Sequence, residues 1–239
     1  MDSGTGVTRR GLIIAMDGPA GVGKSTVGGL VAKRLGYRFI NTGEMYRALT
    51  WKALEEGVDL SDGKALTRLA HRLRWEFKCN EDGVIIRTFI DGVGVTQKIR
   101  EERVGRNSSI VAGVAGVRRH LRMLQRRLGD GGKIVMEGRD ITTSVFPDAD
   151  FKIYLDGSIE ERALRRTKQL RAQGKKVSLE EIKQGIIQRD SGDQQRRINP
   201  LCKAKDAIVI DSTNLKMNEV ADKILRLIKR RKGTRPPQS

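Results

Sequence analysis

The segment Gly18–Ser25 carries residue types that bind phosphate. It reads Gly-Pro-Ala-Gly-Val-Gly-Lys-Ser and matches the pattern G-x-x-x-x-G-K-[ST]. Glycines let successive backbone N–H groups converge on phosphate oxygens, and the N-terminus of a following helix adds partial positive charge. Lys24 is the expected charge on the β- and γ-phosphates, and the Ser25 hydroxyl is an expected Mg²⁺ ligand. The segment therefore predicts a site for a nucleoside triphosphate with magnesium. The expected nucleotide-binding residues are Gly18, Pro19, Ala20, Gly21, Val22, Gly23, Lys24, Ser25 and Thr26.

The elements on either side of this loop have the pattern that the motif requires. Leu12 to Met16 form a continuous apolar run, which is typical of a strand buried on both faces. After Lys24, apolar residues recur at helical spacing until Gly36, where a helix is expected to end. The sequence therefore predicts strand, phosphate loop and helix in succession.

Further short apolar runs predict the rest of the core. They alternate with helical stretches, which favours a parallel sheet wrapped by helices and hence an α/β fold. We expect five parallel strands, the other four being at Phe39-Ile40, Lys133 to Met136, Phe151 to Leu155 and Ala207 to Ile210.

Three segments depart from this alternation. Residues 74–99 contain short strand patterns separated by tight-turn sequences, which predicts a small antiparallel insert. Residues 158–193 are charged and helical, with a turn at Gly174-Lys175-Lys176, and predict a mobile helical lobe. The stretch 229–239 is basic and contains two prolines, so we expect a flexible tail there.

Composition excludes several classes of protein and leaves the role of the charge open. The 239 residues include 47 Lys+Arg and 29 Asp+Glu, for a net charge of +18. No apolar run is long enough to span a bilayer, and two distant cysteines fit a reducing cytoplasm better than a disulfide framework. With two histidines, a zinc cage is not expected. The basic excess fits a solvated surface, a nucleic-acid footprint or focusing of a polyanionic small ligand.

Five stretches resemble the bacterial cytidylate kinase family, and their order and spacing match over about residues 11 to 225. Three residues depart from the family's usual pattern: Asn41 and Glu137 stand where Asp is usual, and Thr142 where Gly is common. The stretches are Met16 to Thr26, Asn41 to Arg47, Asn107 to Arg118, Gly138-Arg139-Asp140 with Phe146 to Ala149, and Arg189-Asp190-x-x-Asp193-x-x-Arg196 with Pro200-Leu201.

The resemblance implies a role for individual residues outside the phosphate loop. Arg47 and Arg139 would hold an acceptor phosphate, and Arg196 would lie near the transferred phosphate. Ser109, Arg118 and Asp140 would read cytosine, while Arg189 and Asp193 would hold the ribose. Glu137 would support Mg²⁺ through water. The expected substrate residues also include Thr42 and Tyr46, and the expected catalytic residues are Lys24, Arg139, Arg162, Arg165, Arg166 and Arg196.

The resemblance also implies a nucleoside monophosphate kinase architecture. A core would comprise residues 1–40, 119–157 and 197–228, with a monophosphate-binding lobe at 41–118 and a helical lid at 158–196. The expected reaction transfers the γ-phosphoryl of ATP to CMP or dCMP. We expect a cytoplasmic monomer with no obligate protein partner and no membrane association.

Two alternatives remain open. One is a uridylate or mixed pyrimidine nucleotide kinase. The other is a basic nucleic-acid-binding ATPase, which the charge favours and which the scarcity of base-stacking aromatic residues disfavours, at 4% of the chain. A regulatory GTPase is excluded because no Asn-Lys-x-Asp guanine-binding motif occurs.

Overall fold

The structure, a computed structural model, describes residues 11–233. Eight strands and eight α-helices lie in this range. The strands are β1 (Ile13–Asp17), β2 (Arg38–Asn41), β3 (Trp75–Cys79), β4 (Ile86–Ile90), β5 (Val93–Gly94), β6 (Ile134–Glu137), β7 (Phe151–Asp156) and β8 (Ile208–Asp211). The helices are α1 (Lys24–Leu35), α2 (Thr42–Glu55), α3 (Gly63–Arg72), α4 (Glu102–Gly113), α5 (Ala115–Gly129), α6 (Ile159–Ala172), α7 (Leu179–Gln194) and α8 (Met217–Gly233).

The predicted five-stranded parallel sheet is confirmed. Its strand order is β2-β6-β1-β7-β8, with every neighbouring pair parallel. All five residues of β1 are buried, because helices cover both faces of the sheet. Strand β1 is central, so the phosphate loop that follows it lies at the carboxyl edge of the sheet, where ligands of such folds bind.

Apolar side chains pack against both faces of this sheet. On one face, Val31 of α1 and Ile224 of α8 join Ile14 and Phe151 in a single cluster. On the other face, Ile13 and Met136 contact the short helical turn Ile141–Val145. The carboxyl ends of β1 and β6 are therefore held rigidly, and the side chains that follow them are fixed in position.

The predicted antiparallel insert is also confirmed. Strands β3, β4 and β5 form a three-stranded antiparallel sheet. It packs beside the main sheet through a bridge between Phe39 and Ile85. A separate apolar cluster joins this insert to α2–α5 and includes Leu121 of α5. The expected lobe boundary after residue 118 falls inside α5, and the division into domains stays a prediction.

Helices α6 and α7 form the region expected to be a lid. A turn containing Gly174 joins them, and Ser178 and Glu181 form a capping box that begins α7. At the C-terminus, α8 extends through residues 229–233, which we expected to belong to the tail, whereas residues 234–239 lie outside the described range. Within the described range, no helix is both long and apolar enough to cross a membrane.

Candidate active site

The phosphate loop connects β1 to α1 and has no room for larger residues at its glycines. Gly18 has a φ of 148°, and a Cβ there would lie 2.0 Å from the carbonyl oxygen of Leu155. Gly23 has a φ of 96°, and its Cβ would lie 2.3 Å from Sδ of Met217. These two positions require glycine both for backbone conformation and for space. The conformation of the loop therefore depends on glycine at both positions.

Lys24 lies inside the curve of this loop. Its Nζ donates hydrogen bonds to the carbonyl oxygens of Gly18 and Pro19, each at 2.7 Å. Burial, followed by the nearby positive charge of Arg139, lowers the pKa of Lys24 from 10.5 to about 7. An anionic phosphate beside Nζ would favour the charged form, so the site is poised to gain a proton when it binds a polyphosphate.

The next residue, Ser25, belongs to a group of oxygen ligands suited to magnesium. Its Oγ donates to Oε1 of Glu137 at 2.7 Å, and Nδ2 of Asn41 donates to the same Oγ at 3.3 Å. Glu137 and Asn41 are register partners at the ends of β6 and β2. Mg²⁺ is typically held by one or two protein oxygens together with phosphates and water. This hydroxyl and carboxylate fit that requirement.

Asp17 is a site residue that sequence reasoning missed. Its carboxylate accepts hydrogen bonds from the backbone N–H groups of Ile141 and Thr142, and from Oγ1 of Thr142 at 2.6 Å. Burial raises the pKa of Asp17 to about 6, although these hydrogen bonds oppose that shift. Asp17 therefore ties the end of β1 to the residues that follow Asp140. Thr142, a departure from the family pattern, supplies two of the three contacts, and the one from Oγ1 depends on its side chain.

Four arginines lie close enough to influence one another electrostatically. Burial, then the charges of Arg139 and Arg47, lowers the pKa of Arg189 to about 10. Burial, then the charge of Arg166, lowers the pKa of Arg47. Arg47, Arg139 and Arg189 are half-buried and Arg166 is exposed, and bringing like charges together is unfavourable unless an anion compensates them. This grouping, which we call the arginine cluster (Arg47, Arg139, Arg166 and Arg189), indicates an anion site beside the phosphate loop.

A second polar group lies next to the arginine cluster. Nη2 of Arg118 is 2.6 Å from Oδ2 of Asp140, and both side chains are buried. Arg118 also donates to the carbonyl oxygen of Ala112 at 3.0 Å and lies over the ring of Tyr46, 5.4 Å from its centroid. The Nε atom of Arg118 is buried without a hydrogen-bond partner. That donor has no partner within the described part of the chain.

Asp193 connects the two groups. Its Oδ2 accepts from Nε of Arg139 at 2.7 Å, and its Oδ1 lies 3.5 Å from Nη2 of Arg196. Nε and Nη2 of Arg196 are buried without hydrogen-bond partners. The charges of Arg118 and Asp140 also act on Arg196. Arg196 therefore lies near the Arg118–Asp140 pair.

The remaining predicted substrate residues differ in burial. Thr42 is buried, and its hydroxyl donates to the carbonyl oxygen of Glu137 at 2.9 Å. Ser109 is exposed on α4, in contrast to the buried Arg118 and Asp140. The structure therefore brings Arg118 and Asp140 together directly, and Ser109 is not among their hydrogen-bonding partners.

The three lid arginines occupy different surroundings. Arg162 is buried and forms an ion pair with Asp190. Arg165 donates to the carbonyl oxygens of Ser212 and Leu215, at 2.6 and 3.2 Å, in the connection between β8 and α8. Only Arg166 belongs to the arginine cluster. Their roles in phosphoryl transfer stay predictions.

An open cleft of about 570 Å³ lies beside Met217, whose side chain packs against Gly23 of the phosphate loop. The cleft is therefore placed to receive a group attached to phosphates on the loop. It is lined by Glu161, Arg165, Thr213, Asn214, Leu215, Lys216 and Met217.

A phosphate loop at the carboxyl edge of a parallel sheet, with helices α6 and α7 in contact with that loop, is typical of P-loop kinases. The family model for cytidylate kinase matches residues 14–230. A cytidylate kinase from Geobacillus sp. (strain WCH70) is 45% identical over 225 residues, covering 94% of this chain and 100% of that protein. The chain belongs to the cytidylate kinase family, which confirms the resemblance found in its sequence.

Other relatives are longer than this chain. A bifunctional pantoate ligase/cytidylate kinase from Synechococcus sp. (strain JA-2-3B'a(2-13)) is 48% identical over 226 residues. The match covers 94% of this chain and 42% of that protein, so the chain spans about two fifths of the bifunctional relative. An uncharacterized protein from Eubacterium ventriosum ATCC 27560 has a solved structure that matches with a TM-score of 0.51 and 11% identity, covering 91% of this chain and 98% of that one. This last similarity supports the fold alone.

Proposed function

We propose that the chain transfers the γ-phosphoryl group of ATP to CMP or dCMP, giving ADP and CDP or dCDP. The observation that carries this proposal is the arrangement of two subsites around the end of β1. The phosphate loop with Lys24 would form one subsite, and the arginine cluster with the buried Arg118–Asp140 pair, close enough for Arg139 and Arg189 to act on Lys24, would form the other. An anion site next to a polar base reader fits a nucleoside monophosphate as acceptor.

The donor subsite accounts for ATP with magnesium. The loop amides and Lys24 suit the β- and γ-phosphates, and the cleft beside Met217 is placed for the nucleoside. Ser25 and Glu137 would hold Mg²⁺, which when bound neutralises charge on the phosphate oxygens. The name of the relative from Geobacillus, cytidylate kinase, supports the same reaction.

The acceptor subsite accounts for cytosine. Cytosine carries one amine donor and two acceptors, N3 and O2, on the edge available to a protein. The Asp140 carboxylate can accept from the amine, and the unpartnered Nε of Arg118 can donate to an acceptor. Uracil replaces the amine with an oxygen, which would face the carboxylate unfavourably. The pair therefore favours cytosine over uracil.

The chain's own groups supply the electrostatics of the transfer. The attacking oxygen belongs to a phosphate that is already anionic, so no general base is needed. Lys24 and the arginine cluster would hold the two phosphates in line and stabilise charge that develops during transfer. The Asp193–Arg139 contact holds one of these guanidinium groups in place.

A coupled assay of ADP release with ATP and each nucleoside monophosphate in turn tests this function. We expect turnover with CMP and dCMP that exceeds turnover with UMP by at least about tenfold in kcat/KM. The variant Lys24→Ala should lose about two to three orders of magnitude in rate while remaining folded. Equal use of UMP would favour the mixed pyrimidine kinase. ADP release without any acceptor, stimulated by RNA or DNA, would favour the nucleic-acid-binding ATPase.

We also propose that the protein is a monomer and that it is located in the cytoplasm. Cys79 and Cys202 are both exposed and free, as expected in a reducing compartment. Size-exclusion chromatography with light scattering would test the oligomeric state.

A further inference from the structure

Two lid residues hold the tip of the phosphate loop from opposite sides. Oδ1 of Asp190 accepts a hydrogen bond from the backbone N–H of Ala20 at 2.8 Å. Nη1 of Arg162 donates to the carbonyl oxygen of the same Ala20 at 2.9 Å. Arg162 and Asp190 also pair with each other. Helix α6, helix α7 and the loop thus share one closed set of polar contacts, which we call the Ala20 clamp (Ala20, Arg162 and Asp190).

The clamp is buried and closely packed. Arg162 is 8% exposed and Asp190 is 7% exposed. Ala20 also packs with Ala163 and Ile186 in a small apolar cluster. A Cβ on Gly21 would lie 3.2 Å from the carbonyl oxygen of Arg162, so the loop and α6 are already in close contact. Because a buried ion pair needs both partners, a shift of either helix away from the loop would break contacts that water could not easily replace.

The same helix that supplies Asp190 also supplies acceptor-site residues. Asp193 lies one helical turn further along α7 and accepts from Nε of Arg139 at 2.7 Å. Arg189 of α7 interacts electrostatically with Arg139 and Arg47. A single rigid helix therefore contacts the donor loop through Asp190 and the acceptor arginines through Arg189 and Asp193. A change in the position of α7 at one subsite moves its side chains at the other.

We infer that Arg162 and Asp190 act as a positioning pair that couples ATP binding on the phosphate loop to CMP binding at the arginine cluster. The inference rests on the proposed function. It gives Arg162 a role different from the direct catalytic contact expected from sequence, because its guanidinium is committed to Ala20, Asp190 and the carbonyl oxygen of Gly157. By thermodynamic linkage, each substrate must strengthen the binding of the other by the same factor.

Calorimetric titration of CMP, with and without a non-hydrolysable ATP analogue and Mg²⁺, tests this coupling. In the parent protein we expect the analogue to lower the Kd for CMP by at least about fivefold, within the usual range for coupled sites. In Asp190→Asn the ratio of the Kd for CMP without the analogue to the Kd with it should fall to within about twofold of one. The Kd for CMP alone should change by less than about threefold, because Asp190 forms its hydrogen bonds with Ala20 and Arg162 and its charge is the smallest of the influences on Arg139 and Arg189.

Two further variants keep the test interpretable. Glu180→Gln removes one exposed charge from the same helix, where Glu180 accepts from Gln184, and should retain the parental ratio. If Asp190→Asn fails to fold because it leaves Arg162 buried without a partner, the double variant Asp190→Asn with Arg162→Gln removes both charges and should lose the coupling as well.

The outcomes distinguish this inference from the proposed function. The coupling would be overturned if the analogue left the Kd for CMP unchanged in the parent protein. It would also be overturned if a folded clamp variant kept the same ratio of Kd values as the parent. Either result could occur even though the parent still phosphorylated CMP. A parent that neither binds nor phosphorylates CMP would overturn both. The positioning role would be supported if the analogue no longer changed the Kd for CMP in Asp190→Asn while the Kd for CMP alone was preserved. A simple loss of stability would not remove the effect of the analogue and leave CMP binding intact.

Discussion

Replacement of Asp140 by Asn should change base selection without changing the shape of the site. The Asp140 carboxylate is 9% exposed and lies 2.6 Å from Nη2 of Arg118, which is 2% exposed. The variant keeps the side-chain volume and one oxygen that can accept from Arg118. It loses the negative charge and gains an amide N–H₂ that can donate to O4 of uracil. Acceptance of the cytosine amine and rejection of uracil are therefore the properties that the substitution alters.

The burial of this pair sets the size of the effect. A buried polar group left without its partner costs about 1–3 kcal/mol, and more when it is charged. That corresponds to at least about one order of magnitude between CMP and UMP in kcat/KM for the parent protein. In Asp140→Asn we expect the ratio to fall by about tenfold, toward one. Loss of stability should stay below the 3–5 kcal/mol typical of breaking a buried ion pair, because Asn retains a hydrogen bond to Arg118.

The measurement is the ratio of kcat/KM for CMP and UMP in the coupled assay, on protein whose thermal unfolding shows that it is folded. Glu102→Gln serves as a control, since Glu102 is 70% exposed and, within the described part of the chain, forms its ion pair with Arg106 on the surface of α4. A parent ratio near one, or a ratio that Asp140→Asn leaves unchanged, would show that the Arg118–Asp140 pair does not read the base.

Three further predictions concern the other groups of the site. Because the pKa of Lys24 is lowered to about 7, most Lys24 side chains are neutral at pH 8 and become charged when phosphates bind. ATP binding should therefore take up nearly one proton at pH 8. Below about pH 6 it should take up almost none, because Lys24 is already charged. Calorimetry in two buffers of different ionisation enthalpy measures this uptake, and equal heats at pH 8 would contradict it. Asp193→Ala should weaken the use of CMP by about 1.5–3 kcal/mol, and comparison with dCMP identifies the ribose hydroxyl that is contacted, whereas parental kinetics with both would remove Asp193 from the site. Glu137→Gln should raise the Mg²⁺ concentration for half-maximal activity by about tenfold or more, and an unchanged magnesium titration would mean that Glu137 does not support the metal.

The core could be predicted from sequence because its signals are local. Each of the five parallel strands is a short apolar run, and the structure shifts their boundaries by at most one residue. The phosphate loop combines a spacing motif with a preceding strand and a following helix. The sequence alone therefore predicts where the loop lies, without knowledge of any tertiary contact. Gly36, predicted as the end of α1, has the left-handed conformation that a helix C-cap favours, with a φ of 64°.

The site was only partly predictable because several of its contacts join residues far apart in the chain. Arg162 has the charge of a phosphate-binding lid residue, yet it binds Asp190 and Ala20, which is 142 residues away. Asp17 precedes the phosphate loop directly, and nothing in its neighbourhood shows that its hydrogen-bonding partners are Ile141 and Thr142. Charge identifies a residue that can form an ion pair. The packing of the elements determines which partner it receives.

Part of the chain's excess of basic residues is located at the arginine cluster. Arg47, Arg139 and Arg189 are brought together by α2, by the turn after β6 and by α7, and their charges act unfavourably on one another. Asp193 offsets part of this repulsion by pairing with Arg139. In the proposed function, an anionic phosphate would relieve the remainder, so the free energy spent in assembling these like charges would contribute to affinity for the acceptor. The cluster therefore favours focusing of a small polyanion over a nucleic-acid footprint as the role of these charges, since half-buried arginines that lie close to one another suit a single phosphate better than an extended backbone.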